Sequence, residues 1–230
     1  MVEDNKFSLW IADTDFLCPE EVIQDIKAKA DERTFGYTYN DFALEKAVAA
    51  WQNSRFGWKV SQDWVGYSTG VIGGIGYAIR TFTQTGDKVL IQKPVYQKFE
   101  EIIQNSGRLA VNNALRLQNG KYEIDFEDLE RKLGDPLVTM MILCNPHNPT
   151  GRCFTEKELQ TIGELCLRYG VLMVSDEIHQ DIVYPGSRHI NIASLSHEIS
   201  LNTITFCNPS KTFNLPSDGE LSGRNQTTGG

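Results

Sequence analysis

Three apolar runs of strand length constrain the fold of this chain most strongly. They are VTMMIL at 138–143, VLMV at 171–174 and TITF at 203–206, and each passes directly into polar residues. The first two runs lack a polar–apolar alternation, which is typical of parallel strands covered by helices on both faces, and TITF is also predicted to be a buried strand. Helical patterns lie between the runs, so the chain is predicted to be an α/β three-layer sandwich with a mostly parallel sheet.

The helical patterns carry recognisable start and stop signals. Residues 155–170 begin with a capping box of Thr155 and Glu158 and end at Gly170. The segment 19–33 begins with a proline in its first turn and is predicted to be amphipathic. Further helices are predicted at STGVIGGIGYAIRTF, YQKFEEIIQNSG and DFEDLERKL, and further strands at KVLIQ and LAVNNALRL.

The segment 42–51 is predicted to be a second amphipathic helix. Asn40 or Asp41 would cap it, and its apolar face would be Leu44, Val48 and Trp51.

Composition excludes several classes of function. The chain has 230 residues, is 40% hydrophobic and carries a net charge of −8, which does not favour nucleic acid or anionic membranes as partners. Its five cysteines are scattered without metal-ligand spacing, so neither a disulfide framework nor a metal site is predicted. No signal-peptide pattern or membrane-length apolar run occurs, and the predicted location is the cytoplasm.

Polar residues gather where the predicted strands end, which is where ligands bind in sheets of this kind. Asn145, His147 and Asn148 follow the first run, Asp176, Glu177 and His179 follow the second, and Ser210 and Lys211 follow the third. Upstream, Gly70 begins a glycine-rich helix whose exposed amides would suit a phosphate.

These groups together fit pyridoxal phosphate. The cofactor's aldehyde would form a Schiff base with Lys211, its ring nitrogen would pair with Asp176, and its phosphate would lie at Gly70. Taken singly, each residue has an ordinary interpretation: Lys211 as a surface charge, Asp176 as a turn former, His179 as a structural histidine. Tyr96 alone would be a packing aromatic. The ordered combination is what favours a cofactor site.

This combination resembles the fold-type I aminotransferases of class I/II, and among them the MalY/PatB-like branch of cystathionine β-lyase-like C–S lyases. The resemblance runs from about Leu9 to Leu215. The motifs that carry it are LWIADTDF, FGYTY, KPVYQKF, CNPHNPTG, SDEIHQDIVY and PSKTFNL.

The resemblance implies specific roles for residues of this chain. Lys211 would form the internal aldimine and later move protons, and Asp176 would pair with the ring nitrogen. Asn148 would bind the cofactor's phenolic oxygen with His179 nearby, and Tyr96 would stack on the ring. Gly70, Val71, Ile72 and Ser210 would form the phosphate cradle, and Tyr37 would reach the phosphate of the neighbouring subunit in a homodimer.

The resemblance also implies an activity and a domain plan. The activity is β-elimination of a thiol from sulfur-containing amino acids. Residues 1–40 would be an N-terminal segment of the small domain and the edge of the substrate pocket. Residues 41–215 would be an incomplete cofactor-binding large domain, and 216–230 a disordered tail outside the family, so that the chain is truncated and lacks most of the small domain. Two alternatives are an amino-acid aminotransferase and a catalytically silent cofactor-binding fragment.

Overall fold

The computed structural model describes residues 12, 14–36 and 42–215. Their contacts divide into two compact units, one within Asp41–Cys207 and a smaller one made from described residues of 1–40 and 208–230. The predicted tail at 216–230, the predicted caps Asn40 and Asp41, and Tyr37 lie outside the described residues. No helix in the described ranges is long and apolar enough to cross a membrane.

Helices and strands alternate along the described chain, as the sequence predicts. The helices are α1 (Glu20–Asp31), α2 (Ala43–Phe56), α3 (Gly70–Phe82), α4 (Lys98–Asn105), α5 (Phe126–Leu133), α6 (Glu156–Tyr169) and α7 (His197–Leu201). The strands are β1 (Lys88–Ile91), β2 (Leu109–Asn112), β3 (Arg116–Gln118), β4 (Lys121–Glu123), β5 (Val138–Cys144), β6 (Leu172–Asp176) and β7 (Thr203–Phe206).

The larger unit is built on a parallel five-stranded sheet. Its strand order is β2-β1-β5-β6-β7, and every pairing in it is parallel. β5 lies at the centre, where Met140, Ile142 and Cys144 face one hydrophobic cluster and Met141 and Leu143 face the other. Because successive strand residues point to opposite faces, this central strand is buried on both sides. The predicted α/β sandwich with a mostly parallel sheet is confirmed.

Helices cover both faces of this sheet. α3 and α4 contribute Ile75, Ile79, Phe99 and Ile103 to one cluster, while α5 and α6 contribute residues such as Leu129 and Ile162 to the other. The predicted signals on α6 are confirmed, since Thr155 and Glu158 form both bonds of the capping box and Gly170 ends the helix with φ +66°.

Three expectations about individual elements were wrong. α2 buries Glu45 and Gln52, whereas Leu44 is 56% exposed, because the side of the helix that faces the protein is lined by polar groups. β7 is half-buried instead of fully buried, because it is an edge strand that, among the described residues, pairs with β6 alone.

The predicted strand LAVNNALRL is interrupted by Asn113. Its buried side chain accepts a hydrogen bond from Gln92 Nε2 at 2.9 Å and donates to Asp128 Oδ2 at 2.8 Å. These bonds end β2 at Asn112, and the following residues form the antiparallel hairpin of β3 and β4.

Candidate active site

The carboxyl edge of the parallel sheet brings several of the predicted site residues together. Cys144 and Asp176 are the last residues of β5 and β6 and are register partners. Asn145 N donates to the Asp176 carbonyl oxygen at 3.0 Å, so the turn that carries Asn148 begins beside Asp176. Parallel strands end on the same edge, which is why motifs more than 25 residues apart in sequence meet here.

Asp176 is a buried carboxylate at this edge. Asp176 is only 5% exposed, and its Oδ1 accepts a hydrogen bond from Ile178 N at 3.1 Å. Burial, together with the neighbouring Glu177 carboxylate, raises the pKa of this carboxyl to about 7, although the hydrogen bond from Ile178 N acts in the opposite direction. Within the described ranges, no lysine, arginine or histidine forms an ion pair with it. The site therefore holds an acidic group whose ionised form lacks a cationic partner from the described residues.

The start of α3 supplies backbone amides near the same edge. Gly70 has φ +73°, a left-handed conformation that glycine adopts without strain, and a Cβ at this position would meet nothing within 4 Å. Thr69, the N-cap residue, makes no side-chain hydrogen bond to the first turn. Val71 is buried in the cluster that includes Cys144 and Val174, while Ile72 packs on that cluster half-buried. Gly70 N donates to the Ser68 carbonyl oxygen at 2.9 Å, so the first-turn amides that could bind an anion are those of Val71 and Ile72.

Tyr96, Asn148 and His179 lie on segments that follow β1, β5 and β6. Tyr96 is 38% exposed, and its ring meets the Phe99 ring edge-on with the centroids 5.9 Å apart. Asn148 is half-buried, and its backbone amide donates to Cys144 Sγ at 3.4 Å. His179 is half-buried, and its carbonyl oxygen accepts from Ile182 N at 2.9 Å.

Lys211 and Ser210 lie in the smaller unit, in the turns that follow β7. Lys211 Nζ donates to the Ala12 carbonyl oxygen at 2.9 Å. Ser210 N donates to Asn208 Oδ1 at 2.8 Å, and the Ser210 carbonyl accepts from Leu215 N at 2.8 Å. Asn214, with φ +57°, donates to the carbonyl oxygens of Thr14 at 3.2 Å and Phe16 at 3.0 Å. Hydrogen bonds thus connect this turn to residues 12–16.

A cluster of buried polar side chains lies next to Asp176, and the sequence did not predict it. The Glu177 carboxylate accepts hydrogen bonds from Ser175 Oγ at 2.8 Å, from Asn191 Nδ2, and pairs with His189 Nε2 at 3.0 Å. Gln52 of α2 reaches the cluster by accepting from Asn191 Nδ2 at 3.3 Å. No spacing pattern marks His189, Asn191 or Gln52, because they approach Glu177 only through the tertiary fold.

Comparison with known proteins agrees with this arrangement. The family model described as aminotransferase class I and II matches residues 4–218. The chain belongs to this family.

Three proteins show what the chain is similar to. Cystathionine beta-lyase PatB of Bacillus subtilis (strain 168) is 45% identical over 207 residues, which are 90% of this chain and 54% of the relative. Cystalysin from Treponema denticola, whose structure contains pyridoxal 5′-phosphate, gives a TM-score of 0.86 at 38% identity and covers 89% of this chain and 52% of its own.

A third relative is the PLP-bound C-S lyase from Staphylococcus hominis, with a TM-score of 0.82 at 35% identity over 89% of this chain and 54% of its own. The chain thus spans about half the length of the curated relatives that it matches. The expected resemblance to aminotransferases of the cystathionine β-lyase type is confirmed.

Proposed function

We propose that the chain binds pyridoxal phosphate as part of a C–S β-lyase acting on sulfur-containing amino acids. The observation that carries the proposal is Asp176, a buried carboxylate with no ion-pair partner in the described ranges, at the sheet edge where ligands bind in this class of fold. A protonated pyridinium nitrogen is the kind of partner that such a carboxylate lacks.

The chemistry of the residues predicted for the site suits this cofactor. Asp176 would hold the ring nitrogen, the first turn of α3 at Gly70, Val71 and Ile72 would hold the phosphate together with Ser210, and Asn148 would donate to the phenolic oxygen. Tyr96 would pack on the ring with His179 nearby, and Lys211 would supply the amine. When bound, the cofactor supplies an aldehyde for an amine and a ring that withdraws electrons from the substrate's α-carbon.

The proposed work of this chain's own groups is binding and proton transfer. Asp176 would favour a charged ring nitrogen, because an ionised carboxylate in a dry site favours a cation beside it. Lys211 Nζ would be the group that takes the α-proton from the substrate. The net reaction on cystathionine consumes one water and gives homocysteine, pyruvate and ammonia.

Partners and location belong to the same proposal. We expect an amino-acid substrate, a homodimer in which Tyr37 reaches the neighbouring subunit's phosphate, and a cytoplasmic protein. Support for the lyase branch comes from the relatives named cystathionine beta-lyase and C-S lyase. Support for an aminotransferase comes from the name of the matched family.

The first experiment locates the cofactor. The 230-residue chain is mixed with pyridoxal phosphate and reduced with borohydride, and the modified lysine is identified by peptide mass spectrometry. Labelling is expected at Lys211 and is expected to disappear in Lys211→Ala. Lys93→Ala is the matched control, because Lys93 follows β1 at the same sheet edge and forms an ion pair with Glu100 at 2.7 Å. Labelling that is unchanged in Lys211→Ala would refute the assignment.

The second experiment separates the reactions. Equal amounts of homocysteine and pyruvate from cystathionine would support the lyase. Transfer of the amino group to a 2-oxo acid without thiol release would identify an aminotransferase. Labelling of Lys211 with neither product would identify a cofactor-binding chain without catalysis of its own.

A further inference from the structure

The turn that carries Asn148 is held in place by the side chain of Asn145. This side chain is fully buried. Its Nδ2 donates to the Ile190 carbonyl oxygen at 3.1 Å, and its Oδ1 accepts from Phe154 N at 3.0 Å. One amide therefore connects the backbone of two segments that both follow the turn in sequence, at Phe154 and at Ile190.

The backbone of Asn145 makes a third connection, to Asp176. Asn145 N donates to the Asp176 carbonyl oxygen at 3.0 Å. Further along, His147 N donates to the Arg152 carbonyl oxygen at 2.8 Å, and His147 accepts from Gly151 N at 2.8 Å. These bonds close the turn around Asn148 and fix its start against the end of β6.

Cys144 holds the inside of the same turn. Its Sγ accepts from Asn148 N at 3.4 Å and donates to the Pro146 carbonyl oxygen at 3.4 Å. Burial raises the pKa of this thiol well above its ordinary value, and the Asp176 carboxylate adds to the effect, so the thiol stays protonated and able to donate. The backbone amide of Asn148 thus has a partner inside the protein.

We propose that Asn145 and Cys144 are positioning residues, whose side chains orient the turn of Asn148 toward the ring of the cofactor. The inference rests on the proposed function, because it concerns how the chain holds pyridoxal phosphate. Neither side chain has a polar atom free for the cofactor: both ends of the Asn145 amide and both roles of the Cys144 thiol are used within the protein. They act through Asn148, the residue whose turn they hold.

The test is a double-mutant cycle on cofactor affinity. Dissociation constants for pyridoxal phosphate are measured by tryptophan fluorescence on the 230-residue chain, its Asn145→Ala and Asn148→Ala variants, and the double variant. Each single change is expected to weaken binding roughly tenfold, the usual effect of losing one well-placed hydrogen bond to a ligand. The double variant is expected to be weakened little more than either single one, because both changes remove the same contact.

Asn202→Ala is the matched control for loss of stability. Asn202 Nδ2 also donates to a backbone carbonyl, that of Val171 at 2.8 Å, but it lies at the amino end of β7, on the opposite edge of the sheet. Its substitution is expected to lower the melting temperature without changing cofactor affinity. An Asn202→Ala variant that weakens binding as much as Asn145→Ala does would overturn the inference.

Cys144 gives a second, smaller perturbation that is informative even if Asn145→Ala does not fold. Cys144→Ala is expected to weaken binding and shift the absorbance maximum of the bound cofactor, whereas Cys144→Ser, which keeps a donor and an acceptor, is expected to restore most of both. Cys166→Ala is the control, because Cys166 is equally buried but lies in the other hydrophobic cluster.

The outcomes separate the two proposals. Failure of the unmodified chain to take cofactor at Lys211 would contradict the proposed function itself. Normal binding by the unmodified chain, loss of binding in Asn148→Ala and unchanged binding in Cys144→Ala and Asn145→Ala would leave that function standing and overturn the positioning roles. Additive losses in the double variant would also overturn them.

Discussion

Replacing Asp176 by Asn is expected to stabilise the cofactor-free chain while it weakens the cofactor site. The carboxylate is buried at the carboxyl end of β6 without an ion-pair partner among the described residues, and this environment disfavours its charged form. Asparagine is nearly isosteric and neutral, and its Oδ1 can still accept the hydrogen bond from Ile178 N. The substitution therefore removes an unfavourable charge and keeps the local geometry.

The size of the effect follows from the pKa of Asp176. A rise from the ordinary 3.8 to about 7 corresponds to roughly 4 kcal/mol of disfavoured ionisation. Relaxation of the site and water penetration reduce this value, so the expected gain in the free energy of unfolding is about 2–4 kcal/mol at pH 8.

The gain has a definite dependence on pH. The folded-state pKa is raised, so the folded chain holds the proton more tightly than the unfolded chain, and the stability from this group is present below pH 4 and lost as pH rises toward 7. The advantage of the asparagine variant should therefore be about 2–3 kcal/mol larger at pH 8 than at pH 5. Other titrating groups, such as the buried His147, are common to both chains and cancel in the difference.

Urea unfolding of the two chains at pH 5 and pH 8, without cofactor, measures this difference. Asp128→Asn is a control of opposite sign: burial opposes ionisation of Asp128, but hydrogen bonds from Lys132, Asn113 and Arg131 outweigh it and lower its pKa to about 2. That variant should lose about 2 kcal/mol at pH 7. The reasoning is refuted if Asp176→Asn destabilises the chain at pH 8, or if its effect is the same at both pH values.

Three further outcomes are expected. Saturating pyridoxal phosphate should raise the melting temperature of the unmodified chain more than that of Asp176→Asn, because only the carboxylate gains a cationic partner; equal shifts would exclude this pairing. Gly74→Ala should cost about 1–3 kcal/mol in urea unfolding, since its Cβ would overlap the Phe206 ring and lie 2.6 Å from Ser68 Oγ, whereas Gly66→Ala, with open space around it, should have little effect. Thr155→Ala should lower the free energy of unfolding by about 1 kcal/mol, because it removes the capping box of α6. A decrease smaller than a few tenths of a kcal/mol would show that the box does not stabilise the chain.

The core of the fold was predictable because its signals are local. β5 and β6 have apolar runs that are typical of a buried parallel strand, and the caps of α6 directly flank the helix. Because ligand-binding residues follow the carboxyl ends of parallel strands, the sequence predicted that Asn148 and Asp176 would lie near the same edge of the sheet. Cys144, which precedes the turn of Asn148, is the register partner of Asp176.

The features that were missed depend on contacts distant in sequence. α2 has an apolar stripe, yet it buries Gln52, because the segment it meets presents Gln180 and Asn191. β2 ends at Asn112 because the next residue, Asn113, forms a hydrogen bond with Asp128, fifteen residues later in sequence. Neither partner is visible from the periodicity of the segment itself.

The charge state of Asp176 also depends on contacts that the sequence alone does not show. The sequence places an aspartate after an apolar strand, where solvated turn formers and buried functional groups look alike. Only the fold shows that this carboxyl is buried beside a second carboxylate, Glu177, and that no described side chain neutralises it. Asparagine at this position would make the cofactor-free chain more stable than aspartate does. A cationic ligand would explain why the chain has an aspartate there, because binding of the ligand would restore the stability that the buried carboxylate costs the free chain.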